Sequence, residues 1–181
     1  FNNRGLVNDI GSNDGTILKS FKRLGHNVLG VEPARAIANE AIKNGIDTII
    51  DFFNPAIAYT IKKKYGEASI ITANNVFAHI DNPSNFLTGV REIISAKDGV
   101  FCFEVSYLRN VIENTFFDTI YHEHLDYHHA SPIVNHLEKL GFTILQINTN
   151  SIQGGSLRFI TEKKKSIKRS QKVKEFLKKE K

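Results

Sequence analysis

The stretch VNDIGSNDGT, residues 7–16, decides the fold of this chain. A short apolar strand ends near the acidic Asp9, a loop bounded by Gly11 and Gly15 follows, and an apolar pattern with helical spacing runs over residues 17–24. A strand, a tight glycine loop and a helix N-terminus in this order place backbone N–H groups and a carboxylate around a small ligand. The stretch therefore predicts a ligand-binding unit at the start of the chain.

The composition is that of an ordinary globular domain. The chain has 181 residues, of which 41% are hydrophobic, and this suits one domain with a sizeable core. No apolar run reaches the length of a membrane span and no signal peptide is visible, so we expect no membrane partner and a cytoplasmic location. Cys102 is the single cysteine, which excludes an internal disulfide and a four-cysteine zinc site in this chain. Because the chain contains no methionine and starts at Phe1, we expect it to be a processed or excised piece.

The positive charge of the chain is concentrated near its end. The net charge is +5, but residues 162–181 hold ten Lys or Arg and three Glu, which leaves 14 basic and 16 acidic residues in positions 1–161. The main part of the chain is therefore slightly acidic, and a solvated basic helix explains the excess charge. We expect no nucleic-acid partner.

Strand and helix patterns alternate through the first hundred residues, which predicts βαβ units on a parallel sheet. The predicted strands are Leu6–Ile10, Asn27–Val31, Asp47–Ile50, Ala68–Ala73 and Gly99–Val105. The predicted helices are Thr16–Leu24, Ala34–Asn44, Pro55–Tyr65 and Asn82–Ser95.

The pattern changes after residue 105. A short helix over Tyr107–Thr115 is followed by the aromatic and histidine-rich stretch Phe116–His129. Ser131–Leu140 reads as a helix, with Ser131 as cap and Pro132 in the first position. The alternating segments Phe142–Thr149 and Ser156–Thr161 then predict two antiparallel strands. We therefore expect an α/β domain over residues 1–161, and a basic linker helix over 162–181 that leads toward an absent further domain, because its apolar face is thin.

Two carboxylates and the glycine spacing indicate what the first loop binds. Glu32 lies 23 positions after Asp9, at the end of the second predicted strand, where it can accept hydrogen bonds from both hydroxyls of a ribose. A dinucleotide site has the spacing G-x-G-x-x-G, whereas here three residues separate Gly11 and Gly15. Asp14 inside the loop would repel a pyrophosphate and would suit a ligand with a cationic amino-acid end.

The loop and its flanks resemble motif I of the class I S-adenosylmethionine-dependent methyltransferases. The resemblance implies a Rossmann-like sandwich with a mostly parallel seven-stranded sheet and an antiparallel end. It also implies that Gly11, Asn13 and Gly15 border the methionine part of the cofactor and that Glu32, together with Asp9, belongs to the cofactor site. By the same resemblance, Asp51 and Phe52 flank the adenine and Asn74 lies beside the sulfonium.

These residues also have structural interpretations. Asp9 and Glu32 can cap the loop, although the two together at this spacing favour ligand binding. Asp51 can cap a turn, Phe52 can belong to the core, and Asn74 can simply turn the chain.

A second pair of motifs narrows the family. FDTIYHEH at residues 117–124 and QGGSLRF at residues 153–159 resemble the C-methyltransferases of nucleotide-linked deoxysugars. The resemblance covers most of residues 5–161. Members of that family usually also carry an N-terminal zinc-binding domain and a C-terminal Rossmann-like domain, so the resemblance implies that flanking domains, and any zinc, lie outside this chain.

The histidine-rich motif suits chemistry at carbon. Methylation next to a ketone requires removal of a weakly acidic C–H proton, and histidine is the usual base at neutral pH. The enolate oxygen also needs a hydrogen-bond donor. From the resemblance we assign His124 as the base, Tyr121 as the donor that orients the substrate or stabilises the enolate, and Glu123 as a residue that orients a neighbour or binds the sugar. His79 matches a further family position and is expected to face the substrate.

Other interpretations of these residues remain open. His122, His124, His128 and His129 could form a metal cluster, although such sites need three or four converging ligands, and we expect no metal. His79 could be a hydrogen-bonded turn residue, and Arg158 could pair with a phosphate or with a surface acid.

The sequence thus predicts transfer of a methyl group from S-adenosyl-L-methionine, with S-adenosyl-L-homocysteine as product, to a carbon of a nucleotide-linked keto-sugar. Such sugars feed antibiotic or surface-polysaccharide pathways. The alternatives are a methyltransferase acting on oxygen or nitrogen of a small molecule, a nicotinamide-dependent oxidoreductase, and a cofactor-binding piece that is inactive without its flanking domains.

Overall fold

The computed structural model describes residues 5–151, 154–163 and 169–180. Seven strands form one sheet: β1 Leu6–Ile10, β2 Asn27–Val31, β3 Thr48–Ile49, β4 Ala68–Asn74, β5 Val100–Ser106, β6 Phe142–Asn150 and β7 Ser156–Lys163. Their order across the sheet is β3-β2-β1-β4-β5-β7-β6. The pairs from β3 to β5 are parallel, and β7 is antiparallel to both β5 and β6. The predicted mostly parallel seven-stranded sheet with an antiparallel end is confirmed.

In the described residues, seven α-helices connect or follow these strands: α1 Thr16–Arg23, α2 Arg35–Lys43, α3 Pro55–Tyr65, α4 Pro83–Ile93, α5 Leu108–Glu113, α6 Ala130–Lys139 and α7 Gln171–Glu180. Short 3₁₀ turns cover Phe77–His79 and Phe117–Thr119. No helix in the described part of the chain is both long and apolar enough to cross a membrane.

The main core lies on the face of the sheet that carries alternate aromatic residues of β5 and β7. The Phe103 ring stacks between Phe101 and Phe159, with centroid distances of 4.8 and 4.9 Å. Helix α6 buries an apolar stripe with the spacing i, i+3, i+4, i+7 in the same cluster. The stripe consists of Ala130, Ile133, Val134 and Leu137.

Helix α6 differs from its prediction at its start. It begins at Ala130, with His129 as the N-cap, and not at Ser131. The Ser131 hydroxyl donates to Glu180 at 2.8 Å, so it does not cap its own helix. A distant acidic residue has replaced the local cap that the Ser-Pro pair suggested.

The end of the chain also differs from its prediction. Residues 162 and 163 continue β7 instead of starting a helix, residues 164–168 and 181 lie outside the described part, and the helix covers Gln171–Glu180. Val173 and Leu177 of α7 are buried in the main core. The thin apolar face of this helix is therefore covered by the domain itself, and its continuation toward a further domain stays a prediction.

The order of the strands positions the site. From β1 the chain runs outward to β2 and β3 on one side, and β4 then returns to pair with β1 on the other side. In an open parallel sheet, ligands bind in the crevice beside the carboxyl ends of the strands at such a reversal.

Candidate active site

A cleft of about 610 Å³ opens at the carboxyl ends of the first strands. Its walls combine loop backbone, apolar side chains and several amide groups. Its lining includes Gly11, Asn13, Val31, Glu32, Phe52, Asn74, Val76, His79 and Phe86. The structure thus brings together five of the eight predicted cofactor residues and one of the four predicted catalytic residues.

The glycine loop is held by backbone bonds to the second strand. The N–H groups of Gly11 and Ser12 donate to the carbonyl of Val31 at 2.8 and 3.2 Å. Gly11 has φ +70°, and a Cβ there would lie 2.5 Å from Cγ2 of Val76. This position therefore requires glycine, both for its backbone conformation and for the close approach of the neighbouring wall. Gly15 has φ +76° and packs on Ile46, outside the lining of the cleft.

Glu32 joins the loop to the second strand at the wall of the cleft. Its Oε2 accepts from the N–H of Asn13 at 3.0 Å, and its Oε1 accepts from the N–H of Ala34 at 2.8 Å. The residue is only 8% exposed. Each carboxylate oxygen keeps a second acceptor position, so Glu32 can hold the loop and still accept hydrogen bonds from a ligand.

Asp9 lies behind the wall of the cleft. It is buried, and its Oδ1 accepts from the hydroxyl of Thr72 at 2.6 Å. Burial raises the pKa of Asp9 to about 7, the Thr72 hydrogen bond opposes this rise, and the charge of Glu32 adds to it. Asp9 therefore supports the floor of the loop from below, and it is not among the lining residues.

The carboxylate of Asp14 binds the start of α1. Its Oδ1 accepts from the N–H of Thr16 at 3.0 Å, its Oδ2 accepts from the Thr16 hydroxyl at 2.8 Å, and Lys19 Nζ lies 3.7 Å away. The Thr16 hydrogen bonds lower the pKa of Asp14. The carboxylate caps the first turn of α1 and does not line the cleft, so a contact between this charge and a ligand stays a prediction.

The two residues predicted to flank the adenine differ in their position at the cleft, since Phe52 lines it and Asp51 does not. Phe52 is 72% exposed, so its interpretation as a core residue is wrong. Asp51 Oδ1 accepts from the N–H of Phe52 at 2.7 Å, and Asp51 itself does not line the cleft. Asn74 ends β4 and lines the cleft, with Asn75 after it at φ +55°.

The histidine-rich stretch folds back over the 3₁₀ turn that contains His79. The N–H of Leu125 donates to the carbonyl of Ala78 at 2.7 Å, and the Nδ1 of His79 lies 2.7 Å from the carbonyl oxygen of Glu123. The rings of His79 and His124 are 5.0 Å apart between centroids. Residues more than forty positions apart are thus joined at the edge of the cleft that His79 lines.

The hydrogen bonds of both imidazoles fix the same tautomer. The Nδ1 of His124 lies 2.9 Å from the carbonyl oxygen of Thr119, and that of His79 faces the Glu123 carbonyl. Since a carbonyl oxygen can only accept, each Nδ1 carries a hydrogen, and each neutral ring has a bare Nε2. The Nε2 of His124 accepts from the hydroxyl of Tyr121 at 3.0 Å. The arrangement provides a general base whose second nitrogen is held by the backbone.

The Glu123 side chain does not join this arrangement through any contact in the described part of the chain. Its carboxylate lies 3.9 Å from Nε2 of His122, whose side chain is 90% exposed. Within residues 5–151, 154–163 and 169–180, no three His, Cys, Asp or Glu side chains converge as metal ligands. The contact between this segment and His79 uses the backbone of Glu123.

The second family motif lies on the neighbouring strands. Gln153 lies outside the described residues. Glu104 of β5 is buried, and its Oε2 accepts from Nε and Nη2 of Arg158 at 2.9 and 2.8 Å. Its Oε1 accepts from the Ser156 hydroxyl at 2.6 Å. Arg158 is therefore paired with a buried acid and not with the surface acid considered from the sequence, and its pairing with a phosphate stays a prediction.

Glu104 was missed by the sequence reasoning, although one signal could have found it. It is an acid inside the apolar strand VFCFEVS, and such a charge needs a partner when it is buried. Gly155 of the same motif has φ +109°, and a Cβ there would collide with the side-chain amide of Asn110. Gly155 therefore allows close packing against α5, and a Cβ at Gly154 would meet the Phe116 ring at 2.9 Å.

Comparison with known proteins gives consistent results. Residues 2–147 match the family described as "Methyltransferase domain". The chain is 36% identical over 152 residues to the protein named C-methyltransferase NovU of Streptomyces niveus, and this alignment covers 84% of the chain but 36% of that protein. The chain thus spans about a third of the length of the curated relative it matches.

Solved structures with low identity share the fold. A SAM-dependent methyltransferase from Anabaena variabilis has a TM-score of 0.71 at 16% identity, covering 91% of this chain and 79% of that one. The magnesium protoporphyrin IX methyltransferase of Synechocystis, solved with bound SAH, has a TM-score of 0.64 at 14% identity, covering 88% and 74%.

Proposed function

Because this chain belongs to the class I S-adenosylmethionine-dependent methyltransferases, we propose that it methylates a carbon atom of a nucleotide-activated keto-deoxysugar. The observation that carries the proposal is the pair of backbone-held imidazoles, His79 and His124, beside the cleft. A methyl transfer to oxygen or nitrogen has less need of such a base, whereas a carbon acid must be deprotonated. The 36% identical relative is itself named a C-methyltransferase.

The residues of the cleft suit S-adenosylmethionine. Glu32 offers carboxylate oxygens for ribose hydroxyls, Val31 and Phe52 offer apolar surface for the adenine, and Gly11 and Asn13 expose backbone for the methionine part. Asn74 lies at the end of β4, where the sulfonium is expected. The cofactor supplies an electrophilic methyl group, and S-adenosylhomocysteine remains after its transfer. These assignments support the proposal through the chemistry of the donor set.

His124 acts as the base in the proposed reaction. Its Nε2 removes the proton from the carbon next to the sugar ketone, and the electron pair of that C–H bond moves into the enolate. The imidazolium that forms keeps its Nδ1–H bond to the carbonyl of Thr119, so the ring does not have to rotate during the step. That carbon then takes the methyl group.

Tyr121 is placed to serve the same step. Its hydroxyl donates to the Nε2 of His124, the position that the acidic C–H of the substrate must reach. Binding of the substrate displaces this hydroxyl, which can then donate to the developing enolate oxygen. His79, one ring further toward the cleft, orients the sugar between His124 and the methyl donor.

Isotope exchange tests the proposal at the reacting carbon. A nucleotide-linked keto-deoxysugar incubated in D₂O with the protein and S-adenosylhomocysteine should exchange the hydrogen next to its ketone, as seen by NMR. With ¹³C-methyl S-adenosylmethionine, the label should appear on carbon. The assay is run on the chain and on any longer native polypeptide that contains it. Label on oxygen or nitrogen, with no exchange at carbon in either polypeptide, would overturn the proposal.

A further inference from the structure

The carboxylate of Glu180 lies at the start of α6, although the residue is the last one of α7. Its side chain is only 4% exposed. Oε1 accepts from the N–H of Ala130 at 2.6 Å, and Oε2 accepts from the N–H and the hydroxyl of Ser131 at 2.7 and 2.8 Å. Burial alone would raise the pKa of Glu180, but these hydrogen bonds outweigh it and lower the pKa.

This contact supplies the helix with its missing cap. His129 is the N-cap residue and makes no side-chain cap hydrogen bond of its own. Pro132 follows Ser131 and has no N–H, so Ala130 and Ser131 provide the N–H groups of the first turn. Glu180 binds both of them, and a negative charge at a helix N-terminus is favourable.

The same carboxylate holds the end of the histidine-rich segment, residues 119–129. The Nδ1 of His129 lies 3.5 Å from Oε1 of Glu180, and an interaction with the Tyr107 side chain helps to lower the pKa of this carboxylate. Next to these two residues, the N–H of Leu108 donates to the carbonyl of His128 at 2.9 Å. Glu180 thus contacts both chain segments that meet where the histidine-rich segment joins the domain.

From this junction the segment reaches the site through few bonds. His128 is four residues after His124, and Leu125 and Glu123 are bonded to the Ala78–His79 turn. The position of the His124 imidazole relative to His79 therefore depends on where the segment is anchored. An anchor that shifts would change the distance between His124 and the cleft without changing the cofactor loop.

A second attachment, just before the N-terminus of α7, can be compared with the Glu180 contact. Arg169 binds Glu138 of α6 through two N···O contacts of 2.7 Å, and its Nη2 donates to Asn135 at 2.8 Å. Arg169 lies two residues before α7, so this attachment also ties the α7 region to α6, but it contacts the opposite end of α6 from His129. The two attachments therefore share the helix pair and differ in whether they touch the histidine-rich segment.

We propose that Glu180 is a positioning residue for the reaction, which holds His124 in register with His79 and the cleft through its bonds to Ala130 and Ser131 and its contact with His129. The inference rests on the proposed function for its kinetic consequence, and its structural consequence is independent of it. In this proposal, α7 positions the histidine-rich segment in addition to covering the core.

The test compares Glu180→Ala and Glu180→Gln with Arg169→Met. We expect all three to lower the melting temperature, but only the Glu180 variants should speed hydrogen exchange of the peptide over residues 119–129. The two Glu180 variants should also lower kcat by about tenfold or more, because small misplacements of reacting groups slow the reaction strongly. The affinity for S-adenosylmethionine, measured by calorimetry, should stay within about twofold, since Glu32 and the glycine loop do not contact α7. Glu180→Gln should be intermediate, because it keeps one acceptor oxygen.

Equal effects of the Glu180 and Arg169 variants on exchange and on kcat would overturn the proposal, because Glu180 would then only stabilise the fold. If Glu180→Ala does not fold, Glu180→Gln carries the comparison. If no nucleotide-linked sugar is methylated by the unaltered protein, the proposed function fails, while the exchange of residues 119–129 still decides whether Glu180 anchors the segment.

Discussion

The glycine loop and the histidine-rich segment are held in opposite ways. The loop is tied down by backbone bonds to the neighbouring β2 and by Glu32 at its end, and its supporting residue Asp9 is buried. The histidine-rich segment is mostly exposed, has no regular element beyond one 3₁₀ turn, and is held by long-range bonds to Ala78, His79 and Glu180. In the proposed function, cofactor binding is therefore built into the sheet, whereas the placement of the base depends on tertiary anchors. Each region can therefore be changed without the other.

The largest effect is expected from His124→Ala. Removal of the base should lower methyl transfer by about 100- to 10,000-fold, the usual contribution of a general base. Binding of S-adenosylmethionine should not change, because His124 is not among the lining residues of the cleft. Steady-state rates and calorimetry measure the two quantities.

His122→Ala is the matched control for this variant, since its side chain is 90% exposed two positions away. An unimpaired rate in the His124 variant would remove the assigned base, and with it the functional difference between the two regions.

The next effect concerns the stability of the loop region. The pKa of Asp9 is raised from its ordinary value of 3.8 to about 7 in the folded chain. A raised pKa means that the contribution of Asp9 to stability is fully present below about pH 4 and is lost as pH rises to about 7. Asp9→Asn keeps the acceptor for Thr72 and removes this loss. The variant should therefore gain free energy of unfolding relative to the unaltered protein as pH rises. We expect this gain to be about 2–4 kcal/mol larger at pH 8 than at pH 4.

Urea unfolding at the two pH values checks this expectation. Asp47→Asn, the same change at an exposed position, should leave the pH dependence of unfolding as it is. A pH dependence that survives in Asp9→Asn would mean that another group causes it.

A smaller effect is expected from Glu32→Gln, which distinguishes two roles of one carboxylate. If Glu32 binds the ribose as well as the loop, loss of its charge should weaken S-adenosylmethionine binding by about 10- to 100-fold, since hydrogen bonds to charged groups contribute about 1.5–3 kcal/mol. Calorimetry gives the affinity, and Glu40→Gln on the exposed face of α2 is the control. An unchanged affinity would restrict Glu32 to holding Asn13 and Ala34.

The smallest effect is expected from Asp14→Ala. The carboxylate binds Thr16 at the first turn of α1, so its loss should lower the free energy of unfolding by about 0.5–1 kcal/mol, as for other helix caps. Thermal unfolding measures this change. A marked loss of cofactor affinity in the same variant would support the role in ligand binding that the sequence suggested for this charge.

The sequence predicted the parts that depend on neighbours along the chain. The strand–loop–helix unit, the alternation of strands and helices and the position of Glu32 follow from spacing and from apolar periodicity. The site residues themselves came partly from resemblance, and their roles stay predictions. His79, Tyr121 and His124 lie near one another, and of these three His79 alone lines the cleft.

The remaining features depend on contacts between distant positions. Arg158 pairs with Glu104 fifty-four positions away, and Ser131 meets Glu180 forty-nine positions away. Such pairings have no local pattern, and they override local signals such as the Ser-Pro cap of α6. The direction of the Asp14 side chain depends instead on a near partner, Thr16, whose N–H and hydroxyl both donate to the carboxylate.

The two outer strands of the sheet have a consequence for how copies of the molecule behave in crowded solution. β3 has only two residues, and β6 carries a register shift between Ile144 and Gln146. Short edges and bulges are poor templates for a further strand. Both edge strands are therefore poor partners for a strand of a neighbouring molecule. The backbone of β3 and β6 itself disfavours self-association through strand pairing.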